Sequence, residues 1–175
     1  MEYKRLNDAI VLATNFHSGQ FRKVSGLPYI LHPLAVMNQL LQLGVDQEDV
    51  LMAAVCHDIL EDTSITPELL KTTIGDTAFS VVQDLTFTGG DKAAYIKGFQ
   101  QKSATAILIK MIDRMYNTID FYFGGDKKYA IKYLDKAKEL FVDENYDKIE
   151  DIFGEQVRKG IETLVNVQRY LISNT

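Results

Sequence analysis

Cysteine, proline and tryptophan are scarce in this sequence, and long apolar runs are missing from it. The 175 residues include one cysteine, Cys56, three prolines and no tryptophan. A single thiol excludes an intramolecular disulfide and a zinc–thiolate cluster. No apolar run approaches the ~20 residues of a membrane-spanning helix, and the N-terminal stretch EYKRLND is polar. The sequence therefore predicts a cytoplasmic protein with no membrane span and no disulfide framework.

Positive charge is also in short supply. The chain has 19 lysines and arginines against 24 aspartates and glutamates, which gives a formal net charge of -5. This balance argues against a broad nucleic-acid-binding surface, whereas a local cationic loop suits a small phosphorylated ligand. With 46% hydrophobic residues the chain can bury one substantial core, so residues 1–175 are expected to form a single domain.

Helical periodicity runs through most of the chain, and alternating strand patterns are missing. The segments predicted as helices include 46–61 with Asp46 as N-cap, Pro33 to Gly44, Thr66 to Gly75, 93–101 and 105–123. We therefore predict an all-α fold, a helical bundle of roughly eight to ten elements. The amphipathic segments after about residue 125 either complete the core or form a partner surface, as in a homo-oligomer.

Metal-ligand chemistry interrupts an apolar helix near the middle of the chain, in the run AAVCHDILEDT. His57 and Asp58 are adjacent there, and neighbours on a helix diverge by only about 100°, so an imidazole and a carboxylate can share an ion. The two side chains could instead bond to each other or to the backbone, which is the commoner arrangement for such a pair. The doublet by itself leaves both interpretations open.

Two further residues favour a metal site. His32, in PYILHPLAV at the start of a predicted helix, supplies a second imidazole. Asp113 is the one carboxylate among the inward apolar positions of AILIKMIDRMYN, where an unpaired charge would be costly. A cation shared by His32, His57, Asp58 and Asp113 would satisfy these groups and leave coordination positions open for water and substrate. The pattern therefore predicts a catalytic divalent metal centre.

Three segments in this order and spacing, FRKVSGLPYILHP, CHDILEDT and IKMIDRMYN, resemble the HD-domain phosphohydrolases. The resemblance covers residues 1–120 and is closest to the hydrolase domain of RelA/SpoT-type proteins and to the small alarmone hydrolases. It implies an HD-domain helical bundle with a divalent metal, usually manganese. In that family the metal is held by the residues matching His32, His57, Asp58 and Asp113.

The resemblance also implies roles for residues around the metal. Glu61 and Asp62 match the acidic pair that handles the attacking water. The residues implied to contact the nucleotide are Arg22, Lys23, Ser25, Tyr29 and Asn117. The family reaction is hydrolysis of guanosine 3′,5′-bis(diphosphate), ppGpp or pppGpp, at the 3′ position, with release of pyrophosphate and GDP or GTP.

Residue chemistry agrees with this type of reaction. A divalent ion lowers the pKa of bound water towards ~7 and neutralises phosphoryl charge, and Glu61 or Asp62, one helical turn beyond the doublet, would accept the proton. The RelA/SpoT pattern is lost at residues 118–121, Thr-Ile-Asp-Phe, where an acid stands near an expected basic position. Two alternatives stay open: an HD phosphohydrolase for another nucleotide, such as NADPH or a nucleoside monophosphate, and a non-enzymatic nucleotide sensor or partner-binding protein.

Other conspicuous residues receive structural interpretations. His17, at the end of the first predicted helix, is expected to satisfy late carbonyls rather than to bind metal. Arg114 is left outside the site because a structural ion pair explains it equally well. The aromatic residues from Phe121 to Tyr133 are expected to pack between helices.

Overall fold

The computed structural model describes residues 3–174, which form ten α-helical segments and two short 3-10 helices. The chain divides into two compact units, residues 1–90 and residues 91–175. The first unit contains α1 (Lys4–Phe16), α2 (Leu31–Gln42), α3 (Glu48–Val55), α4 (Ile59–Asp62) and α5 (Pro67–Leu85). The second contains α6 (Lys92–Gly98), α7 (Ala104–Phe123), α8 (Lys127–Asp135), α9 (Asp143–Phe153) and α10 (Glu155–Ser173), with 3-10 helices at Phe99–Gln101 and Lys138–Leu140.

The predicted all-α class is confirmed. Among residues 3–174 the one extended pairing is an isolated bridge between Phe21 and Pro28, and the ten α-helical segments fall within the predicted range. The expectation of a single domain over residues 1–175 stays a prediction.

Within residues 3–174 no helix combines the length and the apolar character that crossing a bilayer requires.

Helix α3 lies at the centre of the first unit. Residues 50–55 are all buried, and the helix packs against α1, α2 and α5. A helix that is apolar on all sides needs neighbours on all sides. The residue that follows it, Cys56, is also fully buried, and burial raises the pKa of its thiol to about 12. Cys56 is therefore a neutral core residue.

The predicted continuous helix over residues 46–61 is wrong, because the chain breaks at the His-Asp doublet. Helix α3 begins after Gln47 rather than after Asp46, ends at Val55, and is followed by the single turn α4. The Nδ1 atom of His57 lies 2.7 Å from the carbonyl oxygen of Ala54, the group that Asp58 N–H would use in a continuous α-helix. The His57 N–H also lies 3.5 Å from this carbonyl, so the side chain and the backbone of His57 both use it at the point where the regular helix stops.

Helix α5 carries the sequence-predicted break at Gly75. Its N-cap is Thr66, whose hydroxyl accepts a hydrogen bond from Leu69 N–H at 3.3 Å. Gly75 has φ 79° and ψ 172°, a conformation that is open essentially only to glycine. The Arg5 side chain lies beside it and donates to the carbonyl of Ile74. The kink thus ties α5 to the first helix of the unit.

Helix α7 is the longest element of the second unit, and it packs against α8, α9 and α10. Its N-cap is Ser103, whose hydroxyl accepts from Ala106 N–H at 3.2 Å. The predicted aromatic packing is present between α7 and α8, where the ring of Phe121 lies 4.6 Å from that of Tyr129 and 5.1 Å from that of Tyr133. These contacts pin α8 against the helix that carries Asp113.

We expect Gly75→Ala to lower the free energy of unfolding by about 1–3 kcal/mol, because alanine is strained at this backbone conformation. Its Cβ would also collide with the Arg5 guanidinium. Urea denaturation followed by circular dichroism measures the change.

The matched control is Gly98→Ala. Gly98 is the last residue of α6, and a Cβ there meets nothing within 4 Å, so alanine should be neutral or stabilise by about 0.5–1 kcal/mol. Equal effects of the two substitutions would contradict a special role for the Gly75 conformation.

Candidate metal centre and hydrolytic site

The orientation of the His57 ring is set by its own backbone. The ring is 1% exposed, and its Nδ1 atom lies 2.7 Å from the Ala54 carbonyl oxygen. A carbonyl only accepts, so Nδ1 carries a proton, and in the neutral ring Nε2 carries the lone pair. Such a bond from the remote nitrogen to a backbone carbonyl is the usual support of a metal-binding histidine.

Asp58 brings a carboxylate oxygen to both imidazoles. Its Oδ2 atom lies 3.0 Å from His57 Nε2 and 3.7 Å from Nε2 of His32, a buried residue in the first turn of α2. The His57 Nε2 lone pair and the carboxylate oxygen are both acceptors. Two acceptors at 3.0 Å repel each other unless a proton or a metal cation lies between them.

Asp113 is held by two neighbours on its own helix, α7. It is 2% exposed, and its Oδ2 atom forms an ion pair with Lys110 Nζ at 2.8 Å. The amide of Asn117 donates to Asp113 Oδ1 at 2.5 Å. The structure brings together the four predicted ligands: one ligand atom from each of His32, His57, Asp58 and Asp113 lies within 4.8 Å of the other three.

This donor set fits a divalent cation. Ligands bound at about 2.0–2.2 Å to one ion stand roughly 3–4 Å apart at the usual coordination angles, and the distances from Asp58 to the two imidazoles agree with that spacing. Imidazole and carboxylate donors suit manganese, iron and zinc, and four protein ligands leave room for water in an octahedral site. The cluster therefore indicates divalent metal binding.

The acidic pair that follows the doublet lies on α4. Asp62 accepts at 2.8 Å from the Tyr29 hydroxyl, which lies 2.7 Å from Asp58 Oδ2 as well. Glu61 accepts from Phe87 N–H at 3.1 Å. Both acids are exposed, so Asp62 combines access to solvent with a link, through the Tyr29 hydroxyl, to Asp58, one of the four predicted ligands.

The Tyr29 hydroxyl lies between the carboxylates of Asp58 and Asp62. Burial, and then the nearby Asp58 and Asp62 carboxylates, raise the pKa of Tyr29, so its hydroxyl keeps its proton. One hydroxyl proton can bond to only one of the two carboxylates at a time. The expected nucleotide contact of Tyr29 stays a prediction, while its hydroxyl is already engaged with the acids.

The loop that carries Arg22 and Lys23 lies between α1 and α2. Gly26 has φ 69° and Gly26 N–H bonds to the carbonyl of Arg22 at 3.0 Å, which closes a tight turn. The Arg22 guanidinium carbon lies 5.6 Å from the centre of the Tyr29 ring. Lys23 and Ser25 are exposed on the same turn. Their proposed contacts with a nucleotide remain predictions.

Sequence reasoning missed three residues at this site. Lys110 stands three positions before Asp113 on α7, a spacing that was available as a signal for an ion pair. His17 does not cap late carbonyls with its side chain: the ring contacts Gln20 and stacks on Tyr29. Gln20 reaches the backbone of Asp62, 42 residues away, and no local pattern predicts such a contact.

Known proteins similar in sequence include guanosine-3′,5′-bis(diphosphate) 3′-pyrophosphohydrolase of Haemophilus influenzae, which is 36% identical over 118 residues, 61% of this chain and 17% of that protein. Another is the bifunctional (p)ppGpp synthase/hydrolase SpoT of Escherichia coli K12, 35% identical over 132 residues, 66% of this chain and 18% of that protein. The chain thus spans less than a fifth of the length of these relatives.

Among solved structures, the fold matches that of a metazoan ortholog of SpoT described as hydrolysing ppGpp. The TM-score is 0.76 over 94% of this chain and 96% of the other, and at 23% identity the likeness concerns the fold. The family model of the HD domain matches residues 9–121, a span that contains both histidines and both aspartates of the cluster. The chain therefore belongs to the HD-domain family.

Proposed function

We propose that this protein is a divalent-metal-dependent hydrolase that removes pyrophosphate from the 3′ position of guanosine 3′,5′-bis(diphosphate). The observation that carries the proposal is the cluster of two imidazoles and two carboxylates, with Asp62 tied to it through Tyr29. The names of the relatives supply the substrate, and the family resemblance favours Mn²⁺.

His32, His57, Asp58 and Asp113 would hold the cation. When bound, a divalent ion lowers the pKa of water and neutralises charge on a phosphoryl oxygen. Asp62 would take the proton of the attacking water and return it to the departing 3′ oxygen. Its carboxylate is exposed and accepts from the Tyr29 hydroxyl, which also lies 2.7 Å from Asp58 Oδ2. Glu61, fixed by Phe87 N–H, adds negative charge beside it.

Arg22 and Lys23 would bind the substrate phosphates from the loop before α2. The guanidinium offers two parallel hydrogen bonds to a phosphate, and the ammonium acts as a mobile charge. The Asn117 amide donates one N–H to the Asp113 carboxylate. Its proposed contact with the nucleotide would therefore use the second N–H or the amide oxygen. A small nucleotide is the partner that this local positive charge on an acidic chain favours.

The C-terminal helices remain our proposed homo-oligomer surface. Val167, Tyr170 and Leu171 are all exposed on α10, at positions that share one side of the helix. The expected cytoplasmic location is part of the same proposal and agrees with the single buried thiol.

We expect the Mn²⁺-loaded protein to release pyrophosphate from ppGpp and pppGpp, and to leave NADPH, dGTP and GMP intact. Chromatography of the nucleotide products and separate assays of pyrophosphate and orthophosphate measure this. Orthophosphate from a monoester would reassign the protein to another HD phosphohydrolase. Inactivity towards every substrate would favour a nucleotide sensor.

We expect Mn²⁺ to raise the melting temperature of the wild-type protein in proportion to the logarithm of its concentration above Kd. His57→Gln should abolish this shift, because it removes the Nε2 ligand and the Ala54 bond together. Differential scanning fluorimetry and isothermal titration calorimetry measure it.

The control for the metal experiment is Asp76→Asn, since the Asp76 side chain is 83% exposed and pairs only with Lys71 in the described contacts. It should keep the full Mn²⁺-induced shift. A shift that survives in His57→Gln would show that the metal binds elsewhere.

We expect Asp62→Asn to keep Mn²⁺ affinity and to lower kcat by about 10²–10⁴-fold, the usual contribution of a positioned acid–base group. The amide keeps the size of the side chain but cannot accept the proton. Steady-state kinetics and calorimetry on the same preparation measure the two quantities.

Glu68→Gln, in the exposed first turn of α5, is the matched substitution outside the site and should leave kcat unchanged. Unchanged turnover in Asp62→Asn would remove Asp62 from the mechanism and leave Glu61 as the proton acceptor.

A further inference from the structure

Four residues of the first unit form a closed ring of contacts beside the candidate site. His17 Nδ1 lies 2.7 Å from Gln20 Oε1, and Gln20 Nε2 donates to the Asp62 carbonyl at 2.7 Å. The Asp62 carboxylate accepts from the Tyr29 hydroxyl at 2.8 Å. The Tyr29 ring stacks on the His17 ring, with centroids 4.8 Å apart and planes inclined by 25°. We call His17 and Gln20 the brace.

The directions of the hydrogen bonds from His17 through Gln20 to Asp62 follow from the groups that they join. The Asp62 carbonyl only accepts, so the Gln20 amide nitrogen must face it and the Gln20 oxygen must face His17. That oxygen in turn needs a donor, which places the proton of His17 on Nδ1. The ring is 3% exposed, so water has little access to compete for this bond. His17 thereby fixes the orientation of the Gln20 amide.

Asp62 needs external support because α4 is too short to supply it. The helix has four residues, and the chain turns to extended backbone at Thr63, with φ -133° and ψ 175°. The last carbonyls of a helix have no partner within the helix, and a single turn is not stable by itself. The Gln20 amide binds one of these carbonyls. Gln20 thus gives the Asp62 carbonyl the hydrogen-bond partner that a further turn of helix would supply.

Gln20 also sets the place of Tyr29. Tyr29 N–H donates to the Gln20 carbonyl at 2.9 Å, so one residue holds the backbone of Tyr29 and the backbone of Asp62. The distance between the Tyr29 hydroxyl and the Asp62 carboxylate therefore depends on Gln20. His17 restrains the same pair from the other side by stacking on the Tyr29 ring.

We propose that His17 and Gln20 are positioning residues for hydrolysis, which act by holding the Asp62 carboxylate and the Tyr29 hydroxyl in place while touching neither metal nor substrate themselves. This inference rests on the proposed function, since it assigns Asp62 the transfer of a proton. Catalysis is sensitive to such support, because a displacement of about 1 Å can lower a rate by about a hundredfold.

Gln20→Met tests the proposal, because methionine has a similar length but lacks both the donor and the acceptor. We expect kcat to fall by about tenfold or more, with KM and Mn²⁺ affinity each within about threefold of wild type. Hydrogen exchange of a peptide covering residues 59–66 should become faster at the same time. Gln83→Met, on the exposed side of α5, is the matched control and should change neither quantity.

Two substitutions of His17 separate its hydrogen bond from its stacking. Asparagine keeps an N–H near the position of Nδ1 but loses the ring, whereas phenylalanine keeps the ring and loses the donor. We expect His17→Phe to resemble Gln20→Met, and His17→Asn to retain a kcat several-fold closer to wild type. The kcat values are compared at the same folded fraction, which the melting temperatures of the two variants provide. A higher kcat of His17→Asn then reports on the hydrogen-bond donor of His17 rather than on protein stability.

The outcomes are distinguishable. Faster exchange together with lower kcat supports the proposal, whereas faster exchange with wild-type kcat per folded molecule overturns the catalytic role. Unchanged hydrogen exchange in Gln20→Met would show that Gln20 does not hold the Asp62 segment, and it would overturn the proposal. A Mn²⁺ affinity that falls as far as kcat would also overturn it, because the substitution would then act on the metal ligands rather than on Asp62. Failure of the proposed function appears earlier, as inactivity of the wild-type protein, and it removes the catalytic role of the brace with it.

Discussion

The hydrogen bond from His57 Nδ1 to the Ala54 carbonyl is the interaction on which the candidate site depends. It uses the carbonyl that a continuing helix would offer to Asp58, at the point where α3 ends. It also places the lone pair of the imidazole on Nε2, 3.0 Å from the Asp58 carboxylate. Because α3 is buried on all sides, this bond is shielded from water and the ring cannot turn away. One local contact thus lies at the helix break and orients a predicted metal ligand.

Charge is the second constraint on the site. Asp58 and Asp62 face one Tyr29 hydroxyl with a single proton, and Asp113 is 2% exposed beside Lys110. Buried carboxylates are unfavourable unless cations or donors compensate them. Lys110 compensates the Asp113 charge. A divalent cation bound by the cluster would compensate the carboxylates further, which is a physical reason for the metal site that we propose.

Some parts of the site were predictable from residue types alone. His32, His57, Asp58 and Asp113 were identified because imidazoles and carboxylates are unusual beside apolar helical positions, and the structure brings their ligand atoms within 4.8 Å of one another. The prediction of one helix over residues 46–61 was wrong. Helical periodicity does not reveal the hydrogen bond between the His57 side chain and the Ala54 carbonyl at the break. Gln20 and Asp62 are 42 residues apart, so their contact carries no local signal. The ion pair of Lys110 with Asp113 has i,i+3 spacing, so a local signal for it exists in the sequence.

The amino-acid sequence by itself determined the all-α class, the helix break at Gly75, and the chemical types of the predicted metal ligands. These properties are local: helical periodicity, glycine conformations and side-chain chemistry act over a few residues. Only the tertiary structure decided that the Tyr29 hydroxyl lies between Asp58 and Asp62, and that Gln20 supports Asp62. These contacts depend on how helices distant in sequence pack, and packing arises from the burial of the whole core rather than from any single segment.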